Sequence, residues 1–409
     1  MTMPCSMSGT GTGTRTGTRA EHKQEQEQKQ KQKQKLALWL GLHSTVAVST
    51  AQNTWESDML KFATVVLAIL ITSAGAAAHA GYDEGINAAD HGDFTTALKE
   101  WRPLADKGDA RAQFRMGLAY DEGQGVPADS AEAVRRYRLA AEQNNADAQN
   151  NLAYAYSAGE GVEKNDEEAL RWYERSATQG QVWAQYNLGV RYEIGRGVKQ
   201  NYEQAARWYQ LSAQQGHPLA MANLGLMLTE GSGVKKDLPL AAQLFRLSAE
   251  QDVDIGQHNL ALAYRLGRGI EQDFDQAHFW YLKAAAQGYA PSEHNLGAMY
   301  ERGLGVGKDY DSAMKWYRMA AQRGFALSQN AIGLMYVRGL GVPVNKVAAG
   351  ALFMLAANNG NSLGAQNLQR VQQDLSPQDL KRVQALAEAM IDLDQMLNEL
   401  DEYLKTISA

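Results

Sequence analysis

The sequence predicts an all-α fold, an α-solenoid of 36-residue helix-turn-helix repeats forming an α/α superhelix, and three observations carry that prediction. The triplet Gly-x-Gly recurs at Gly123, Gly159, Gly195, Gly231, Gly267, Gly303 and Gly339, seven times at a spacing of 36 with no insertion. Ahead of each triplet a large apolar residue is followed by a small one, and four residues after the large one comes an aromatic residue or leucine, which is helical spacing. Six residues after the first glycine of every triplet stands Asp or Asn, side chains that cap helix N-termini well. A fixed period of this length marks stacked units, each too small to bury its apolar face alone.

The elements follow in order within the period. The first helix carries Met116-Gly117, Leu152-Ala153, Leu188-Gly189, Leu224-Gly225, Leu260-Ala261, Leu296-Gly297 and Ile332-Gly333. The small residue lets a neighbouring helix approach closely. Tyr120, Tyr156, Tyr192, Leu228, Tyr264, Tyr300 and Tyr336 lie on the same face as the large residue and are expected to be buried with it. The first glycine of the triplet then suits a left-handed helix C-cap and the second a turn. The second helix opens at Asp129, Asn165, Asn201, Asp237, Asp273, Asp309 and Asn345, with Glu132, Glu168, Gln204 and Gln276 placed to complete capping boxes. It continues through the small column from Ala133 to Ala349 and the aromatic column Tyr137, Tyr173, Tyr209, Phe245, Tyr281, Tyr317 and Phe353. Each unit closes at Asn144, Gly180, Gly216, Asp252, Gly288, Gly324 or Gly360, residues that tolerate a left-handed conformation.

Outside the array the chain changes character. Residues 1–58 open with Gly-Thr and Gln-Lys tracts that offer no core, and read as a disordered low-complexity extension ahead of a second candidate start, Met59. Residues 59–80 combine Lys61, an apolar run and Ala78-His79-Ala80, the pattern of a secretory signal peptide cleaved near Ala80, which predicts a periplasmic or secreted protein. The rival reading is an inner-membrane anchor over residues 62–78, just long enough to span. Residues 81–108 read as N-terminal capping helices, 109–360 as seven repeats, and 361–409 as C-terminal capping helices in which Ser376-Pro377 starts one long, polar-faced final helix.

Chemistry is sparse. The net charge of −6 gives no footprint for nucleic acid, so none is expected as a partner. The single cysteine, Cys5, precedes the targeting segment, so the repeats carry no thiol. There is no H-E-x-x-H, G-x-S-x-G, C-x-x-C or phosphate-binding glycine loop, and Gly303 to Lys308 reads as a turn followed by the cap at Asp309. Ser312-Ala-Met-Lys315 lacks the companion motifs of penicillin-recognising enzymes. His258 and His294 stand one period apart, roughly 10 Å, too far to share a metal, and are expected to face a groove or solvent. The sequence therefore assigns no catalytic residue, no metal ligand and no cofactor, and the chain is read as a non-enzyme.

The columns A-x-x-x-L-G-x-x-Y, G-x-G-V and D/N-x-x-x-A-x-x-W-Y-x-x-A-A-x-x-G resemble the Sel-one-like repeat family, a subclass of the tetratricopeptide-like helical repeats. The paired cysteines of a branch associated with β-lactam binding have no counterpart here. The resemblance implies a non-enzymatic scaffold or adaptor of the cell envelope that holds a peptide or protein on its concave face; the membrane enters only through an uncleaved signal segment. The alternative is a regulatory or accessory factor of envelope metabolism that binds glycan or a wall enzyme. By analogy the first helices line the concave face, and the positions that vary there are the candidate partner-binding residues: Phe114, Asn150, Tyr154, Tyr186, Glu193, His258, Arg265, His294, Glu301 and Asn330. Alanine at Tyr186, His258 and His294 is expected to leave melting nearly unchanged. The near-invariant column Asn151, Asn187, Asn223, Asn259, Asn295 and Asn367 reads instead as a repeated structural hydrogen bond. Trp172, Trp208, Trp280 and Trp316 read as core or rim aromatics.

Overall fold

The structure is a computed structural model that describes residues 81–408, all of whose regular elements are helices. The extension expected over residues 1–58 and the signal peptide expected over 59–80 lie outside the described residues. Helices α1 (residues 81–90) and α2 (Phe94–Asp106) open the array. The first helices of the seven units are α3 (Ala110–Glu122), α5 (Ala146–Ala158), α7 (Val182–Ile194), α9 (Pro218–Glu230), α11 (Asp254–Leu266), α13 (Ala290–Arg302) and α15 (Ala326–Arg338). Their second helices are α4 (Ser130–Glu142), α6 (Asp166–Thr178), α8 (Tyr202–Gln214), α10 (Leu238–Ala249), α12 (Phe274–Ala286), α14 (Tyr310–Gln322) and α16 (Lys346–Asn358). Helices α17 (Ser362–Gln372), α18 (Pro377–Ala389) and α19 (Met396–Ser408) close it. From α2 to α17 each helix packs on its neighbours in sequence, which is the α-solenoid.

The tight column does the work the sequence assigns to it. A methyl group built on Gly117, Gly189, Gly225, Gly297 or Gly333 would lie 2.6 Å from the ring of Tyr137, Tyr209, Phe245, Tyr317 or Phe353 respectively. The ring thus seats directly on the backbone of the first helix, and the large residue beside it is buried in all seven units. The second glycine of the triplet is more than a turn. At φ between 66° and 73° it presses on the second helix of the preceding unit, and at Gly161, Gly233 and Gly269 a Cβ would come within 2.2 Å of backbone at Ser130, Tyr202 and Leu238. The unit-to-unit step is therefore fixed at a position where only glycine fits.

Three expectations are corrected here. The second-helix caps accept from the backbone N–H groups two or three residues on, but the capping boxes do not close. Each cap's own N–H donates instead to the carbonyl of the first-helix column, as from Asp129 to Tyr120 O at 2.8 Å and from Asn165 to Tyr156 O at 2.8 Å. That bond leaves Glu132 free to pair with Arg135 and Arg136. Tyr120, Tyr156, Tyr192, Tyr264 and Tyr300 are half-buried rather than buried, because their hydroxyls reach the second helix of the preceding unit, as Tyr156 does to Arg138 and Tyr264 to Arg246. The final helix is two helices, broken between Ala389 and Met396. Helix α18 packs on α16, whose Gly350 backbone leaves room for Val383, and α19 turns back to α14, where Arg318 makes a two-pronged pair with Asp401.

One column escaped the sequence reading altogether. Gln113, Gln149, Gln185, Gln257 and Gln329 are buried near the start of the first helices. Four of them donate to the carbonyl eight residues earlier, at the end of the preceding unit: Gln113 to Ala105 O, Gln149 to Ala141 O, Gln185 to Ala177 O and Gln329 to Ala321 O. Their own carbonyls accept from the residue 30 positions on, Gln143, Gln179, Gln215, Gln287 and Asn359. In the sixth unit the pair becomes Glu293 with Arg323, 3.2 Å apart, and Glu293 Oε2 is buried with no hydrogen-bond partner.

Candidate functional site

The residues two positions before the core leucine do not project freely from the first helices. Three of them lie between their own unit's second-helix aromatic and the residue that begins the next unit. Tyr186 packs on Tyr209 and stacks on His217, with centroids 5.9 and 4.8 Å away. His258 lies between Tyr281 and Tyr289 at 5.5 and 5.1 Å, and its Nδ1 is 2.8 Å from Ser292 Oγ. His294 repeats the arrangement with Tyr317, Phe325 and Ser328 Oγ. Phe114 packs on Tyr137, and Asn330, buried, accepts from Asn367 Nδ2 at 2.8 Å. The expectation that the two histidines face a groove or solvent is thereby corrected: they bind one unit to the next. Burial holds both imidazoles down at about 4, with Arg265 adding to the effect at each and Arg302 at His294. A pairing in the sequence could have revealed this, since Tyr186, His258 and His294 each have an aromatic partner 31 residues on, while Asn150 and Asn330 have Gln181 and Asn361.

The column Asp121, Glu193, Arg265 and Glu301 is also committed internally. The second-helix phenol of the same unit is buried and needs a partner. Tyr137 donates to Asp121 Oδ2 at 3.0 Å, Tyr317 to Glu301 Oε2 at 2.7 Å, and Tyr209 to Glu193 Oε2. Tyr281 accepts instead from Arg265 Nε at 3.3 Å. Where phenylalanine replaces tyrosine, at Phe245 and Phe353, the column holds Thr229 and Val337. The charges follow the hydroxyl in four of the five units with tyrosine, a second covariation readable between columns; in the second unit Tyr173 stands with Ser157, and Arg191 lies over its ring at 5.1 Å.

Two of the ten residues, Asn150 and Tyr154, come together in a recess of about 340 Å³ across the first helices α3, α5 and α7. Its floor is Tyr137, Val134 and Ala155, and its walls carry Asn150, Asn151 and Asn187. Asn187 donates to Asn150 Oδ1 at 3.3 Å, so these amides form a bridged pair between units, as Asn367 does with Asn330. Asn259 and Asn295 donate instead to carbonyls of their own helices, so the column makes structural bonds but not one repeated bond. Tyr154 and Trp183 stand 55% and 50% exposed at the rim, beside the carboxylates of Asp121 and Glu160. Sequence reasoning missed Trp183 because it lies before the repeating columns begin in its helix. A second recess of about 520 Å³ is the same feature three units later, with Thr229, Leu262 and Arg268 standing where Asp121, Tyr154 and Glu160 stand in the first.

Among the described residues no helix is long and apolar enough to cross a membrane, and no three His, Cys, Asp or Glu side chains gather where they could hold a metal. Trp172, Trp208, Trp280 and Trp316 are half-buried and pack on the unit cores.

No curated protein matches the sequence. Among solved structures, the chain is similar to a Sel1 repeat protein from Oxalobacter formigenes, 33% identical over 59% of this chain and 96% of that one, with a TM-score of 0.54. It is also similar to c5321, a protective antigen present in uropathogenic Escherichia coli strains that displays an SLR fold, 28% identical over 81% of this chain and 87% of that one, with a TM-score of 0.44. Sel1 repeat proteins are in general protein-interaction scaffolds, a fold that is typically non-catalytic. The Sel1 repeat model matches residues 110–145, 146–181, 184–217, 218–253, 255–289, 290–325 and 326–361. These seven matches span more than half of the sequence, and the chain belongs to the Sel1 repeat family.

Proposed function

We propose that this chain is a non-enzymatic scaffold of the cell envelope that captures a peptide or protein partner on the first-helix face, in the recess flanked by Tyr154 and Trp183. The observation that carries the reading is the exposure of those two rings beside a cavity, because large aromatics left half in water at a concave site are the anchors interfaces use. The signal-peptide pattern at residues 59–80 supports export, and the envelope is where the partner is sought.

The test is cross-linked affinity capture from an envelope fraction, read by mass spectrometry, with wild type beside Tyr154→Ala/Trp183→Ala. A protein recovered by the wild type and lost by the variant supports the scaffold. Recovery of the same protein by both moves the site elsewhere. Glycan or muropeptide co-purifying in place of protein would replace this reading with the accessory-factor alternative, which an aromatic ring beside carboxylates also suits.

A further inference from the structure

The two recesses of the first-helix face are the same feature three units apart, yet their chemistry is opposite. In the first, Asp121 and Glu160 face the cavity beside Tyr154 and Trp183, and no cation lines it. In the second, Lys236 and Arg268 line a cavity whose apolar wall is Leu226 and Leu262. Among the described residues neither Glu160, Lys236 nor Arg268 has an ion-pair or side-chain hydrogen-bond partner, and Asp121 is bonded only by the Tyr137 phenol, which aims it. Glu230 also lines the second recess, its carboxylate accepting from Ser232, and leaves that recess one net positive charge. Exposed charges without an ion-pair partner, sorted by sign into two equivalent cavities, are what a ligand with two opposite charges would require.

We propose that this face binds one extended peptide, which seats an arginine side chain in the Asp121/Glu160 recess and a carboxylate side chain in the Lys236/Arg268 recess. The proposal rests on the scaffold reading above and names its partner's chemistry. A guanidinium is planar, so it stacks on the Trp183 or Tyr154 ring while its N–H groups reach a carboxylate in fork geometry. The single net charge of the second recess suits a carboxylate and disfavours a dianion. Helices of consecutive units pack about 8–10 Å apart, so three units separate the recesses by about 25–30 Å. Extended chain advances about 3.3 Å per residue, and the two charged residues of the ligand stand about eight or nine positions apart.

The experiment is fluorescence anisotropy of the full chain with labelled Gly-Ser peptides that carry one Arg and one Glu. Their separation is varied from about three to about fifteen residues. Affinity is expected to peak near eight or nine residues, about tenfold or more above the shortest spacing, because the second contact then becomes intramolecular. The double variant Lys236→Glu/Arg268→Glu should lose that peak and regain it with a peptide in which Lys replaces Glu. All four charged side chains are exposed, so helicity measured by circular dichroism should be unchanged in the variant. A flat spacing profile overturns the proposal, as does a charge-reversed variant that keeps the wild-type preference. If the profile is flat while the Tyr154→Ala/Trp183→Ala variant still loses a captured partner, the scaffold stands and the two-charge ligand falls.

Discussion

His258 and His294 are wedged between aromatic rings of two units, each with a serine hydroxyl at Nδ1, and this placement reverses what the sequence suggests for them. Alanine at either position leaves a void and an unpaired hydroxyl at a unit junction, so each substitution is expected to destabilise by about 2 kcal/mol in chemical denaturation. The pH dependence has a definite sign. Both imidazoles are held at about 4, below the ordinary 6.5, so between those values the unfolded chain takes up the proton first. Their contribution is complete above pH 6.5 and is lost as pH falls toward 4, by up to about 1.4 kcal/mol per pH unit for each ring. His258→Asn/His294→Asn, which copies the residue standing at Asn150 and Asn330, should flatten melting temperature against pH in that window. Glu293 behaves oppositely. Burial raises its carboxyl above the usual range despite Arg323, so its contribution is present at low pH and is lost as pH rises through the raised value. Glu293→Gln restores the donor that the other units use and should stabilise the protein at neutral pH by about 1 kcal/mol, with the gain shrinking in acid.

At the scale of the element, the ends of the second helices offer a controlled comparison. Asn144 and Asp252 occupy φ of 64° and 65° at a place where five other units have glycine. Asn144→Gly should stabilise by about 0.5 kcal/mol, because no Cβ has to be held in the left-handed region. Asp252→Gly should gain nothing, since Asp252 also accepts from Gln257 Nε2 at 2.8 Å and that buried amide would lose its partner. The close helix contact predicts a larger effect. At Gly189 even a methyl group meets the Tyr209 ring, so Gly189→Leu is expected to unfold its unit, visible as lost helicity, and Gly189→Ala to cost about 1–3 kcal/mol. Ala153 and Ala261 occupy the equivalent place over Tyr173 and Tyr281, so the unit has a second solution once the ring shifts.

For the whole molecule, stability is that of a stack in which each unit depends on its neighbours. The C-terminal helices are the special case, because α18 covers α16, nine of whose thirteen residues are buried, and α19 packs on α18 and reaches back to α14. Removing residues 376–409 should therefore lower the melting temperature of the last two units and produce a separate early transition in calorimetry. Arg318→Ala should loosen α19 without freeing Met396, Leu397 and Leu400 from the core, detected as modestly faster amide exchange over residues 396–408.

The sequence by itself determined the period, the two helices of each unit, their caps and the close contact of small residue with ring, because each is a local rule repeated at a fixed spacing. It also held, in paired columns, the phenol with its charge and the histidine with its aromatic neighbour, but those pairs span 16 and 31 residues and show only when one column is compared with another. Only the tertiary structure decided which varying positions face inward. Stacking turns the column of Tyr186, His258 and His294 into the junction between units, since a residue's exposure in a solenoid is set by the next unit's first turn as much as by its own helix. The same stacking brings Tyr154 of one unit and Trp183 of the next to one rim, and it folds α18 back over α16 and α19 onto α14, where no repeat instructs the chain.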